Sequence, residues 1–105
     1  MNKWLIAFAL LGISVAGAKT YDITLSDPST VGKLNLQAGQ YELTVKASTA
    51  IFRDVKTGQS FETTAKVEQA PKKFRDTEVE SKQVAGRNRI EEIRLHGTTT
   101  KLDFD

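Results

Sequence analysis

Cysteine is absent from all 105 residues. That excludes disulfides, zinc-thiolate and iron–sulfur sites, thiol nucleophiles and an acylated N-terminal cysteine. Histidine occurs once, at His96, and proline only at Pro28 and Pro71. An excess of charge is missing too. The chain carries 15 Lys and Arg against 13 Asp and Glu, a formal +2, whereas a dedicated nucleic-acid binder concentrates many more cations. Neither Asn35 nor Asn88 begins a glycosylation sequon. The one marked apolar run lies near the start and is too short for the ~30 Å hydrocarbon layer of a bilayer.

That run is also the most informative segment present. Asn2 and Lys3 form a short positive region, Trp4 opens an apolar stretch that continues to Val15, and Ala16-Gly17-Ala18 fits the small-x-small pattern cut by signal peptidase. Residues 1–18 therefore read as a signal peptide, and the mature chain is expected to be exported, periplasmic or extracellular. Removing them leaves 87 residues, one small domain. Only Lys3 is lost among the charges, so the mature formal charge is +1. A domain of this size buries about 60–65% of its unfolded surface. Without disulfides, the core alone must hold it.

From Thr20 onward, apolar and polar residues alternate in short runs separated by glycine-bearing turns, the signature of β-strands. Tyr21, Ile23 and Leu25 form one inward row. Residues 31–36 read as one short strand, and Tyr41, Leu43 and Val45 mark the next. Residues 51–55 follow, closed by a turn at Lys56-Thr57-Gly58-Gln59 with Gly58 at positive φ. Phe61, Thr63, Ala65 and Val67 read as one continuous strand, the longest run. Residues 77–84 form a weak, charged strand, 85–88 a turn, and 89–95 another strand, with a turn at His96-Gly97-Thr98. Leu102 and Phe104 form the last. Ile90, Ile93 and Leu95 do not share a parity, which either a β-bulge near Glu91–Glu92 or one helical turn there would reconcile; the bulge is expected, because the segment is about seven residues long and lies between two glycine turns. The expectation is a single all-β domain, an antiparallel sandwich or small barrel of seven or eight strands. Eighty-seven residues are too few for an eight-stranded transmembrane barrel.

The segment Leu34-Asn35-Leu36-Gln37-Ala38-Gly39-Gln40-Tyr41-Glu42-Leu43 resembles the L-x-A-G-x-Y segment of many exported β-sandwich modules. Gly39 permits a reversal, and Tyr41 is expected to bury its ring while its hydroxyl caps a backbone group. The wider pattern resembles a family of small exported acidobacterial-type proteins of uncharacterised function. It is carried by the export segment, Thr24-Leu25-Ser26-Asp27-Pro28, the Gly39–Tyr41 corner, Lys72-Lys73-Phe74, and Glu92-Ile93-Arg94-Leu95 with Gly97, Thr98, Lys101 and Leu102. The resemblance implies export, small size and a β-fold, and it assigns no functional residue.

Candidate chemistry is sparse. His96 has no nucleophile motif beside it, so no catalytic residue is expected and its ordinary role is that of a solvated turn residue. Asp76, Glu78 and Glu80 could approach Ca²⁺ from one strand face, yet the spacing of a calcium loop is missing, and Lys72, Lys73, Arg75 and Lys82 are close enough in sequence to neutralise them. No metal or other cofactor is expected. Most mature aromatics fall at inward positions, which disfavours sugar stacking. The densest basic cluster is Lys72-Lys73-Phe74-Arg75, inside residues 70–76, the longest break between strands. Loops of this kind carry binding more often than strands do. The expected function is a non-enzymatic exported module that binds a protein or an anionic envelope component through these four residues, as a monomer or an edge-strand dimer. A small secreted protease inhibitor is one alternative class, and a hydrolase or metal-dependent enzyme another.

Overall fold

In the computed structural model, which describes residues 19–104, the alternation of the sequence becomes two sheets. The signal-peptide reading falls on residues 1–18 and lies outside the described residues. β1 (Thr20–Leu25) turns Ile23 and Leu25 inward and exposes Asp22 and Thr24, as period two requires. It pairs with β4 (Gly39–Lys46), followed by β5 (Thr49–Asp54) and β6 (Ser60–Thr64), in the order β1-β4-β5-β6, antiparallel throughout. The second sheet is built on β9 (Arg87–Arg94). Along one side of β9 runs β8 (Glu78–Val84). On the other side β2 (Ser29–Val31) pairs with its first half and β10 (Thr100–Asp103) with its second. β3 (Leu34–Leu36) lies outside β2, and β7 (Lys66–Gln69) outside β10.

The two sheets bury one core between them. The first contributes Ile23, Leu25, Tyr41, Leu43, Ala50 and Phe52; the second contributes Val31, Leu36, Ile90, Ile93 and Leu102. The Phe52 and Phe104 rings meet with centroids 6.2 Å apart at 46°, within the range favoured by tilted aromatic pairs. Each fully buried aliphatic or aromatic side chain contributes roughly 1.5–3 kcal/mol by transfer from water. The molecule is thus an all-β sandwich of two separate sheets.

Four details of the expected strand pattern are corrected. There are ten strands among the described residues, where seven or eight were expected. Residues 31–36 are not one strand. Gly32 and Lys33 form a two-residue turn between β2 and β3, with Gly32 at φ +57°. A Cβ on Gly32 would stand 2.5 Å from Thr63 Oγ1, so glycine is required for space as well as for conformation. The long run through Phe61 and Val67 is also divided. At Ala65, which is buried, the chain passes from the first sheet to the second, and the Ala65 amide donates to the Ser48 carbonyl at 2.8 Å. Such crossings are how sandwich strands turn corners. Finally, the sheet is not wholly antiparallel, because β2 runs parallel to β9, with Val31 opposite Ile90.

The bulge falls where the parity of Ile90 and Ile93 demanded it. Glu80 pairs with Glu92 while Ser81 pairs with Ile90, which leaves Glu91 as the extra residue. Both isoleucines consequently reach the core at 0% exposure. The Glu91 carbonyl is not orphaned, since the Phe104 amide donates to it at 2.9 Å.

Tyr41 closes the turn between β3 and β4. Its residue is 2% exposed, and its hydroxyl donates to the Gln37 carbonyl at 2.7 Å. Burial, and next the nearby Asp54 carboxylate, raise the phenol pKa above its usual 10. A phenol with a raised folded pKa releases its proton first in the unfolded chain. Its contribution is whole below pH 10 and is lost as pH rises through the folded value. Urea midpoints measured between pH 8 and 11 should therefore fall more steeply for the wild type than for Tyr41→Phe. Parallel curves for the two proteins would remove Tyr41 from the alkaline transition.

Candidate functional site

Residues 70–76 join β7 to β8 without secondary structure of their own, yet they are tied along their length to the β9–β10 connection. The Ala70 amide donates to Thr99 O at 2.7 Å, the Phe74 amide to Thr98 O at 2.8 Å, and the Gly97 amide to the Phe74 carbonyl at 2.9 Å. These bonds make Phe74 and His96 partners in a short parallel bridge. His96 adds two more ties. Its amide donates to Thr77 Oγ1 at 3.2 Å, and its Nδ1 lies 2.6 Å from the Arg75 carbonyl. A carbonyl can only accept, so Nδ1 carries the proton in that bond.

The β9–β10 connection is itself braced. Thr98 Oγ1 donates to Leu95 O at 2.9 Å and accepts from the Thr100 amide at 2.9 Å. Gly97 takes φ +76°, a value that glycine reaches without strain. Leu95 anchors the connection in the core at 3% exposure. The basic loop therefore borrows its rigidity from a neighbouring turn more than twenty residues later in the chain.

The structure places the four candidate residues together but gives them different surroundings. Lys72, Lys73 and Arg75 are exposed. None of them takes part in the ion pairs of the described residues. Phe74 is half-buried and is not part of the buried core cluster. Its ring instead lies beneath Arg94, whose guanidinium carbon is 5.9 Å from the ring centroid, a cation–π distance. So Phe74 is an anchor onto the outer face of the second sheet.

That outer face is a charge network. Arg94 contacts Glu92 at 2.8 Å, Glu78 at 3.2 Å and Glu80 at 3.7 Å. Lys101 links Glu92 at 3.6 Å to Glu68 at 3.9 Å, and Lys82 pairs with Glu91 at 3.0 Å. The Glu92 hydrogen bond, with the charges of Glu92 and Glu80 and the Glu78 bond, outweighs desolvation and raises the Arg94 pKa above its usual value. Glu78 and Glu80 do lie on one strand face. Their neutralising cation is Arg94 from the adjacent strand, not the loop lysines. Among the described residues no group of three or more His, Asp or Glu side chains is arranged to hold a metal ion.

Sequence reasoning missed His96, Thr77 and Thr98 as loop supports. A lone histidine before a glycine gives no hint of a partner 21 residues earlier. Comparison with protein-family models, curated proteins and solved structures found no match to this chain.

Proposed function

We propose that the chain is an exported, non-enzymatic binding module that presents residues 70–76 to a protein or anionic envelope component. One observation carries this reading. Among the described residues, three exposed cations without an ion-pair partner lie on a loop that, with the adjoining Thr77, makes five hydrogen bonds to the neighbouring turn and its flanks. A loop ordered before binding loses little conformational entropy on contact, so more of the Coulomb attraction appears as affinity. The signal-like leader and the resemblance to small exported proteins are consistent with an envelope location. His96 supports a structural role better than a catalytic one, because its Nδ1 is oriented by a backbone carbonyl rather than a carboxylate.

The test is charge reversal. The purified protein should bind a polyanionic matrix in a salt-sensitive way, weakening as the Debye length shrinks to about 8 Å near 0.15 M salt. Lys72→Glu, Lys73→Glu and Arg75→Glu together are expected to abolish retention. Reversing the exposed Lys33, Lys46 and Lys56 changes net charge equally and should reduce it only modestly. Equal losses in both triple variants would mean that net charge alone binds, and the loop would be retired as the site. Crosslinking to the envelope fraction of the host, with the same two variants, then identifies the partner.

A further inference from the structure

At the far end of the β8–β9 hairpin from this loop, an open groove of about 630 Å³ lies between the β2–β3 hairpin, Asp27-Pro28 and the Ala85-Gly86 turn. Its floor is polar and already ordered. Ser29, only 4% exposed, donates its hydroxyl to the Asp27 carbonyl at 2.9 Å and accepts from Asn88 Nδ2 at 2.8 Å. The walls are looser. Arg87 reaches Asn35 Oδ1 at 3.4 Å, and Gln83 reaches Asn88 Oδ1 at 3.5 Å. Contacts this long are weak, so most donors of Arg87 and Gln83 are free for a ligand. The turn preceding Arg87 has φ of +52° at Ala85 and +80° at Gly86, a tight reversal that fixes the start of β9.

The side chains select a ligand chemistry. Asn35, Gln37, Gln83 and Asn88 each offer a donor and an acceptor on one planar amide. A hydroxyl answers both from a single atom. Arg87 has no ion-pair partner among the described residues, and its planar fork matches a carboxylate. Asp27, in the same lining, can accept further hydroxyl protons. Apolar lining is confined to Pro28 and Leu36, so the groove offers no pocket for peptide side chains. Its volume lies within the ~300–1,000 Å³ of small-molecule sites. We infer that this groove binds a carboxylated saccharide, with Arg87 on the carboxylate and the four amides on ring hydroxyls.

The site is independent of residues 70–76, and one titration separates the two. The probe is cellobiouronate, with cellobiose as its neutral counterpart, added to ¹⁵N-labelled protein. Amide shifts are expected at Asn35, Gln37, Gln83, Arg87 and Asn88, at lower concentrations of cellobiouronate than of cellobiose. Arg87→Gln should weaken cellobiouronate at least about tenfold, the usual effect of losing a charge-assisted pair, and should bring its affinity toward that of cellobiose. The Lys72→Glu, Lys73→Glu, Arg75→Glu variant should bind unchanged. Arg87 is exposed at a strand end, and the spectrum itself reports whether each variant is folded. Gln83→Ala gives a second, charge-neutral weakening. Absence of groove shifts at millimolar sugar would overturn the inference. So would equal affinity in Arg87→Gln, or shifts centred on Lys72–Arg75 that vanish in the loop variant.

Discussion

Deleting Glu91 is expected to abolish cooperative folding, whereas Glu91→Ala should cost no more than about 1 kcal/mol. The side chain of Glu91 makes a partly exposed ion pair with Lys82, of a kind worth roughly 0–1 kcal/mol. Its backbone does something different. As the extra residue opposite Glu80 and Ser81, it lets Ile90 and Ile93 face the same core across an odd separation. Removal restores strict alternation, and a one-residue slip sends one half of β9 to the wrong face. Either Ile90 leaves the core with the β2 pairing, or Ile93 leaves with the β10 pairing. Each isoleucine exposed costs about 1.5–3 kcal/mol in transfer alone, and lost strand pairing adds to it. A domain of this length holds only about 5–10 kcal/mol in total. Urea unfolding followed by circular dichroism decides the matter. A deletion variant with a sharp transition near the wild-type midpoint would show that β9 can re-register without loss.

The bulge was legible because burial leaves a local trace: two isoleucines of wrong parity in a strand-length segment. The hydroxyl cap of Tyr41 was legible for a similar reason, since the glycine, the turn and the tyrosine are neighbours in sequence. What was not legible depended on distant partners. The alternation of Phe61, Thr63, Ala65 and Val67 is the same whether the strand stays in one sheet or crosses to the other at Ala65. Phe61 and Ala65 do face the core, whereas Val67, beyond the crossing, is 39% exposed. The Gly32-Lys33 turn was readable in principle, as glycine before one more residue is a known hairpin pair. Leu34 and Leu36 on one face masked it. The parallel pairing of β2 with β9 joins residues 29–31 to 88–90, and no local pattern announces it.

The same division holds for the candidate site. Composition located Lys72, Lys73, Phe74 and Arg75, since a basic cluster in a long break is visible in one dimension. Its support was hidden. His96 and Thr98 act through contacts that exist only once β9 and β10 have paired. Arg94 could not be assigned to Glu78 and Glu80 until β8 lay beside β9. Amides gathered in the groove come from residues 35–37 and 83–88, two segments unremarkable on their own.

Phe52→Ala should produce the largest loss of any single side-chain truncation, about 3–5 kcal/mol, as for other buried aromatic deletions. Phe52 is 0% exposed at the middle of β5, between Leu43 on β4 and Phe61 on β6. Its ring meets Phe104 from the opposite sheet. Truncation therefore opens a cavity at the interface of the two layers rather than within one. For a domain of this size each kcal/mol moves Tm by roughly 4–8 °C, so a fall on the order of 15 °C or more is expected in calorimetry. Phe104→Ala should cost less, because Phe104 is 7% exposed near the end of the described chain. The double variant should be more stable than additivity predicts, by about 0.5–1.5 kcal/mol, the usual coupling of a tilted aromatic pair. Strict additivity would mean that the rings fill space separately and do not bind the sheets to one another. No disulfide limits the unfolded chain, so nothing outside the core compensates for the cavity. Leu95, which fixes the turn clasping Lys72–Arg75, belongs to that same core. Near the lowered Tm, Phe52→Ala should consequently lose polyanion binding in parallel with its unfolding, while at low temperature it should bind like the wild type.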